Sequence, residues 1–215
     1  YRELIGMEGS GVPEHLAGFN QNVLRILNVG YIVWPDEVAG PLGVEGVAPA
    51  SQLQYPDGRI ARSVYAYPGL PRARLVGEAV VVPEDRTVAT ILDPAAYDPA
   101  TQVVLNEEPP IELGGPGVEG TVTWLERTPN RLALDVTASA PALLVLSENW
   151  FPAWRATVDG TSAPVLRADH TLRAVPVPAG THRVELRYES GLLRASLAGS
   201  LVSTLLLVSC VAIGI

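Results

Sequence analysis

The chain has 215 residues, with 15 basic side chains, all of them arginine, against 23 acidic ones and a net charge of −8. That balance argues against a nucleic-acid surface, since a net negative chain repels a phosphate backbone. A single cysteine, Cys210, excludes an internal disulfide. Beginning at Tyr1 and stopping inside an apolar run at Ile215, the sequence reads as a piece of a longer protein.

Residues 14–28, EHLAGFNQNVLRILN, set Leu16, Phe19, Val23, Leu24 and Leu27 at helical spacing behind Pro13, which suits a first helical turn. Tyr31 to Trp34 predicts a short buried strand stopped by Pro35, and residues 36–56, rich in Gly, Pro and Ala, predict a loop. Three strand-like runs follow: Arg59 to Tyr67, Arg74 to Val82 and Gln102 to Asn106. Between the last two, PEDRTVATIL opens on a proline and two acids where a helix start favours them, and Asp93-Pro94 ends it. Residues 1–114 thus predict a small α/β layer.

From residue 115 to 190 period-two alternation takes over. Leu132, Leu134 and Val136 alternate with Arg131, Ala133 and Asp135; His182, Val184, Leu186 and Tyr188 alternate with Arg183, Glu185 and Arg187. The run ALLVL at 142–146 is apolar enough for burial on both faces. Turn signals at Pro129-Asn130, Asp159-Gly160 and Pro178-Ala179-Gly180 separate about seven strands, the pattern of an antiparallel β-sandwich. Residues 191–215 close the chain, and Ala195 to Ile215 carries neither charge nor proline. About 20 such residues are the length a helix needs to cross a bilayer, and Gly199, Ser200, Ser203 and Ser209 are small enough for close packing against other transmembrane helices. The predicted class is α+β: a small α/β layer, an antiparallel β-sandwich and a C-terminal transmembrane helix.

Chemical motifs are few. GPGVEG, Gly115 to Gly120, has the letters of a dinucleotide fingerprint, but a proline-rich loop leads it into a strand, so a linker is the better reading. His15, His170 and His182 stand singly, which gives no metal spacing, and Ser10 in EGSGV is one residue out of register for a nucleophile elbow. The paired acids Asp36-Glu37, Glu84-Asp85 and Glu107-Glu108 read as helix-start or solvated loop charges. The densest aromatic stretch is ENWFPAWRATVDG, residues 148–160. Trp154 alternates in phase with Ala156 and Val158, as a core residue would. Trp150 and Phe151 precede that strand at a sandwich edge, where packing and contact with a ligand or headgroup are both open.

The run from Leu143 to Ser190, LLVLSENWFPAWRATVDGTSAPVLRADHTLRAVPVPAGTHRVELRYES, followed at once by an apolar helix, resembles the C-terminal end of the YfhO family of bacterial multi-span membrane proteins. RILNVGYIV (25–33), VYAYPGLPRARLV (64–76) and AYDPATQVVL (96–105) resemble the segments that precede it, and the chain departs from the pattern at Tyr67, Ala153 and near His170. The resemblance implies the extracytoplasmic domain of a GT-C-type glycosyltransferase in the cell (inner) membrane. Its partners would be membrane lipid, the parent's other transmembrane helices, a polyprenyl-phosphate sugar donor and a cell-envelope glycopolymer acceptor. The catalytic acid would lie elsewhere in the parent, so no catalytic residue, metal or cofactor is expected in this stretch. Arg183, Arg187 and Arg194 flank the helix on the side that charge counting puts in the cytoplasm. A long folded domain translocates regardless, and the resemblance implies the outside. Trp150, Phe151 and Arg155, with Arg167 and His170 from the facing strand, are the candidate substrate contacts, because a cation and an aromatic on one edge suit a sugar phosphate. The alternative is a non-catalytic membrane-tethered carbohydrate-binding or scaffolding module.

Overall fold

A computed structural model describes residues 20–35 and 47–191, together with six positions between 196 and 209. The first part of the helix predicted over 14–28 lies outside them. Helix α1, Gln21–Ile26, carries the described part, started by Asn20, whose side-chain oxygen accepts from the Val23 amide at 3.2 Å. Strands β1 (Tyr31–Pro35), β2 (Ala48–Gln54) and β3 (Ile60–Ala66) form an antiparallel sheet in the order β1-β3-β2. Only Ile32 of β1's described side chains is buried; Tyr31 and Val33 are exposed, which corrects the expectation of a buried strand. Of the loop expected over 36–56, residues 36–46 lie outside the described residues, and strand β2 corrects the expectation for the rest. Every one of its side chains is exposed, so pairing with β3 makes it a strand and no apolar alternation announces it.

The next predicted strand divides in two at Gly77. A Cβ there would come within 1.9 Å of the Gly115 carbonyl oxygen, so the loop around Gly115 packs directly on the backbone. On one side, β4 (Ala73–Val76) joins the sandwich; on the other, β5 (Glu78–Val81) runs through α2 (Glu84–Leu92) to β6 (Gln102–Leu105). Strands β5 and β6 pair in parallel, as a helical crossover permits, giving the predicted α/β unit. Asn22 fastens α1 to it, its amide donating to the Ile91 and Tyr97 carbonyls, each at 3.0 Å.

Eight strands follow, against the seven or so that the sequence indicates: β7 (Gly120–Thr128), β8 (Arg131–Ala138), β9 (Ala142–Asn149), β10 (Trp154–Val158), β11 (Thr161–Ala163), β12 (Leu166–Ala168), β13 (Leu172–Val177) and β14 (Gly180–Tyr188). A five-stranded sheet, β11-β10-β14-β8-β7, faces a four-stranded one, β12-β13-β9-β4. Leu132, Leu134 and Val136 of β8 and Val184 and Leu186 of β14 meet Leu144, Leu146, Val175 and Val177 across the interior. Leu143 and Val145 point the other way and meet Val23, Ile26, Ile91, Tyr97 and Val103 of the α/β layer. Residues 142–146 are therefore buried on both faces. Pro176 is tolerated in β13 because three-residue β12 pairs only as far as Ala174.

The boundary drawn between residues 114 and 115 does not separate two cores, since β4 pairs with β9 and the α/β layer covers the four-stranded sheet. One buried cluster joins them. Arg74 alternates with Ala73 and Leu75, which enter the sandwich, so its side chain enters the α/β face. There its Nη2 meets Asp169 Oδ2 at 3.0 Å and its Nε donates to the Pro99 carbonyl at 3.1 Å. Asp169 Oδ1 accepts from the Tyr97 hydroxyl and the Val104 amide, both at 2.8 Å. Burial raises the Asp169 carboxyl above its ordinary value, while Arg74, the Val104 amide and the Tyr97 hydroxyl oppose that rise. Burial likewise pushes the Tyr97 hydroxyl well up, and the charge of Asp169 adds to it.

At the far end, Asp159 and Gly160 both take positive φ and make the predicted two-residue hairpin. Asp159 Oδ1 accepts from the Arg183 amide at 2.8 Å and its Oδ2 lies 2.7 Å from His182 Nδ1. The tail predicted as a membrane helix, 191–215, lies mostly outside the described residues. Its described positions are helical, and among the described residues no helix is long and apolar enough to cross a membrane.

Two predictions follow from these ties. Asp169→Asn leaves the Arg74 guanidinium buried without a counter-charge and should cost about 3–5 kcal/mol, measured as a drop in the urea midpoint; an unchanged midpoint would mean the clasp holds nothing. The Asp159 hydrogen bond, then that of the Ala179 carbonyl, raises the His182 imidazole, so its contribution is full below the ordinary value near 6.5 and fades as pH rises through the folded one. The His182 hydrogen bond, then the Arg183 amide, lowers Asp159, so its contribution is present above the ordinary value near 3.8. His182→Gln should therefore depress the urea midpoint at about pH 5 and much less at about pH 9; a deficit that grew with pH would contradict this.

Candidate functional site

The corner between β9 and β10 is held by its own polar atoms. The Trp150 amide donates to the Thr171 carbonyl at 2.6 Å and its indole Nε1 to the Val165 carbonyl at 3.0 Å, so both ends of that half-buried residue are occupied. Trp154, 8% exposed, packs edge-on against Tyr188, its cross-strand partner, with ring centroids 5.6 Å apart. Phe151 is 53% exposed and touches Tyr188 more loosely, at 6.0 Å.

The five predicted contacts do not converge. Arg155 lies on the outer face of the five-stranded sheet and caps the corner, its Nη1 donating to the Pro152 carbonyl at 2.8 Å and the Trp154 carbonyl at 3.1 Å. Arg167 and His170 belong to the β12–β13 hairpin, where Arg167 Nε donates to the His170 carbonyl and Nη1 reaches Glu84 Oε1 at 2.6 Å. His170 is buried, and with Asp169 it takes positive φ in the turn. Trp150 binds that same hairpin, while Phe151 and Arg155 stay apart from it. Trp150, Arg155 and Arg167 are thus hydrogen-bonded within the sandwich edge, and Phe151 is exposed beside them.

A pocket of about 730 Å³ opens beside them, at the end of the sandwich where β9 finishes and β10 begins. Arg72, Arg127, Glu148, Trp154 and Arg173 line it. Backbone register explains their meeting. Glu148 continues the inward series Leu144 and Leu146, and Arg173 stands one step before the inward pair Val175 and Val177, so both charges face the interior where the apolar filling stops. A register shift between Trp124 and Glu126 brings Arg127 opposite the inward Leu132, while Leu125 is left exposed. Arg72 just precedes β4, with its carbonyl accepting from the Ser147 amide at 2.8 Å.

Glu148 sits among three cations. Its Oε2 accepts from Arg173 Nη2; its Oε1 lies 3.1 Å from Arg72 Nε and 3.9 Å from Arg127 Nε. The guanidinium of Arg173 rests over the Trp154 ring at 3.8 Å. Trp154 is therefore a platform for an arginine, and the ring face it would offer a sugar is taken. The Arg173 side chain is only 3% exposed, and its Nε and Nη1 have no hydrogen-bond partner among the described residues. Burial lowers its proton affinity, Glu148 opposes this, and Arg72 adds to it. Arg72 and Arg127, with side chains 39% and 52% exposed, form the rim. Arg72 is tied only through Nε, and Arg127 makes no hydrogen bond among the described residues.

Three guanidinium groups against one carboxylate leave two net positive charges in a concave site. Such a charge balance favours an anion over a cation. Among the described residues no grouping of His, Cys, Asp or Glu could hold a metal ion. The sequence did carry a signal for two of these residues: Arg173 and Glu148 are charges standing at apolar phase in their strands. The irregularity in β7 hides Arg127.

Trp154→Ala should cost about 3–5 kcal/mol, since it removes a buried ring and the support beneath Arg173, whereas Phe151→Ala should stay within about 1 kcal/mol. Urea unfolding of the two variants checks this; equal losses would make the whole corner a packed core. No family model, curated protein or solved structure matches the chain.

Proposed function

We propose that this domain holds an anionic ligand beside a membrane-embedded glycosyltransferase centre of its parent protein and supplies no catalytic group itself. The observation that carries this is the arginine pocket, where three guanidinium groups gather around one carboxylate. Its position supports the membrane part. Trp154 is paired with Tyr188, the last residue of β14, and the Glu189 amide donates to the Ala153 carbonyl at 2.8 Å. The pocket thus lies at the end from which the chain leaves the sandwich for the apolar tail. With that tail in lipid and the sandwich outside the cell membrane, the pocket would stand next to the bilayer surface, where a lipid-linked sugar donor and an envelope polymer could meet.

The resemblance of its segments to those of YfhO-type proteins favours the transferase over a simple tether. Under the rival reading, a non-catalytic scaffolding or carbohydrate-binding module, the same pocket would serve attachment alone.

Arg127→Ala is the informative variant, because that side chain is half exposed and makes no hydrogen bond that folding would miss. In the full-length parent it should lower sugar transfer about tenfold, ~1.4 kcal/mol, with the amount of protein in the membrane unchanged. Undiminished transfer would overturn the proposal.

A further inference from the structure

The charge arrangement narrows what the pocket accepts. Arg173 and Glu148 lie at its floor, one 3% and the other 14% exposed, and Glu148 offsets one of the three positive charges around it. What remains to attract a ligand is the pair on the rim, Arg72 and Arg127. Arg72 is held through Nε by Glu148 at 3.1 Å, with no hydrogen bond to its terminal nitrogens among the described residues, and Arg127 stands over Trp124 with its guanidinium 5.9 Å from the ring. Two forked donors with two uncompensated charges match an oxyanion that carries two charges and presents several oxygens at once. A carboxylate or a phosphodiester has one charge and leaves one of those cations unmatched. A phosphate monoester has close to two at neutral pH and three terminal oxygens.

We propose that the pocket is a receptor for a phosphate monoester, gripped at the rim by Arg72 and Arg127 above a floor formed by Glu148 and Arg173. This rests on the reading of the pocket as a ligand site and adds its selectivity: a sugar-loaded lipid phosphate is a diester, so the group matched is the phosphate monoester left once the sugar has departed, or another monoester. Glu148 has a positive role here. It orients Arg72, screens Arg173 and sets the net charge at two rather than three, so that a doubly charged group is chosen over more highly charged polyanions.

The test is titration calorimetry on the 215-residue chain in neutral detergent micelles at about pH 7.5, where a phosphate monoester is mostly dianionic. Glucose 1-phosphate should bind at least tenfold more tightly than dimethyl phosphate or glucuronate, and glucose should not bind. Arg127→Ala should weaken glucose 1-phosphate about tenfold, while Arg59→Ala, a cation remote from the pocket, should leave it unchanged. Micelles doped with phosphatidate, a lipid monoester, separate the two sources of the group. Competition with glucose 1-phosphate would assign the pocket to a lipid headgroup, and its absence to a soluble or polymer-borne phosphate; each is a monoester and supports the proposal. Equal affinity for dimethyl phosphate, or equal loss in Arg59→Ala, would overturn it. The transfer assay on the parent is independent. Monoester selectivity with undiminished transfer in Arg127→Ala would remove the proposed function and leave this inference standing, and the reverse pair of results would remove this inference alone.

Discussion

Asp169 has no exposed surface, and a carboxylate in such a place must find every partner inside the protein. It finds them on three separate segments: Arg74 at the start of the four-stranded sheet, Tyr97 after α2, and the Val104 amide in β6. The hairpin that carries Asp169 is thereby stitched to the α/β unit, and the Asp169 amide returns a bond to the Val104 carbonyl at 2.9 Å. An ion pair this deep adds little net stability compared with apolar packing, but it permits only one arrangement of the layers, because any other leaves a charge stranded. The position of β12 and β13, and with it the position of Arg173, follows from that constraint.

The same economy of partners governs the pocket. Three arginines converge where two sheets run out of apolar filling, and one carboxylate is shared among them. Trp154 offers one ring face to Arg173 and an edge contact to Tyr188, so a residue with the look of a sugar platform is spent on holding a cation. What the site presents outward is charge with direction, supplied by two side chains that the fold leaves incompletely bonded.

Much of the architecture was legible because alternation is a direct image of burial. Leu132 to Val136 and Val184 to Leu186 declare the inner face of the five-stranded sheet, and residues 142–146 declare a strand covered twice. Asp159-Gly160 names its own turn. Strand β2 was illegible, since none of its side chains is buried and only backbone pairing defines it. The break at Gly77 depends on a loop nearly forty residues downstream, which no local pattern records. The site was harder. Sequence reasoning went to aromatics and to the cations near them in the chain, whereas the pocket gathers Arg72, Arg127, Glu148 and Arg173 from four different strands or their approaches. Charges at apolar phase were the available sign, and a bulge erased that sign at Arg127.

Strand β9 has covering on both sides and a neighbour along each edge, β13 on one and β4 on the other. The sandwich cannot therefore be detached at the GPGVEG loop without harm. Cutting there would strip a neighbour from its most apolar strand and bare a greasy flank at the same stroke, leaving an open template for sheet-to-sheet aggregation. The residues before the loop thus supply an edge neighbour and one covering face of the sandwich's own central strand.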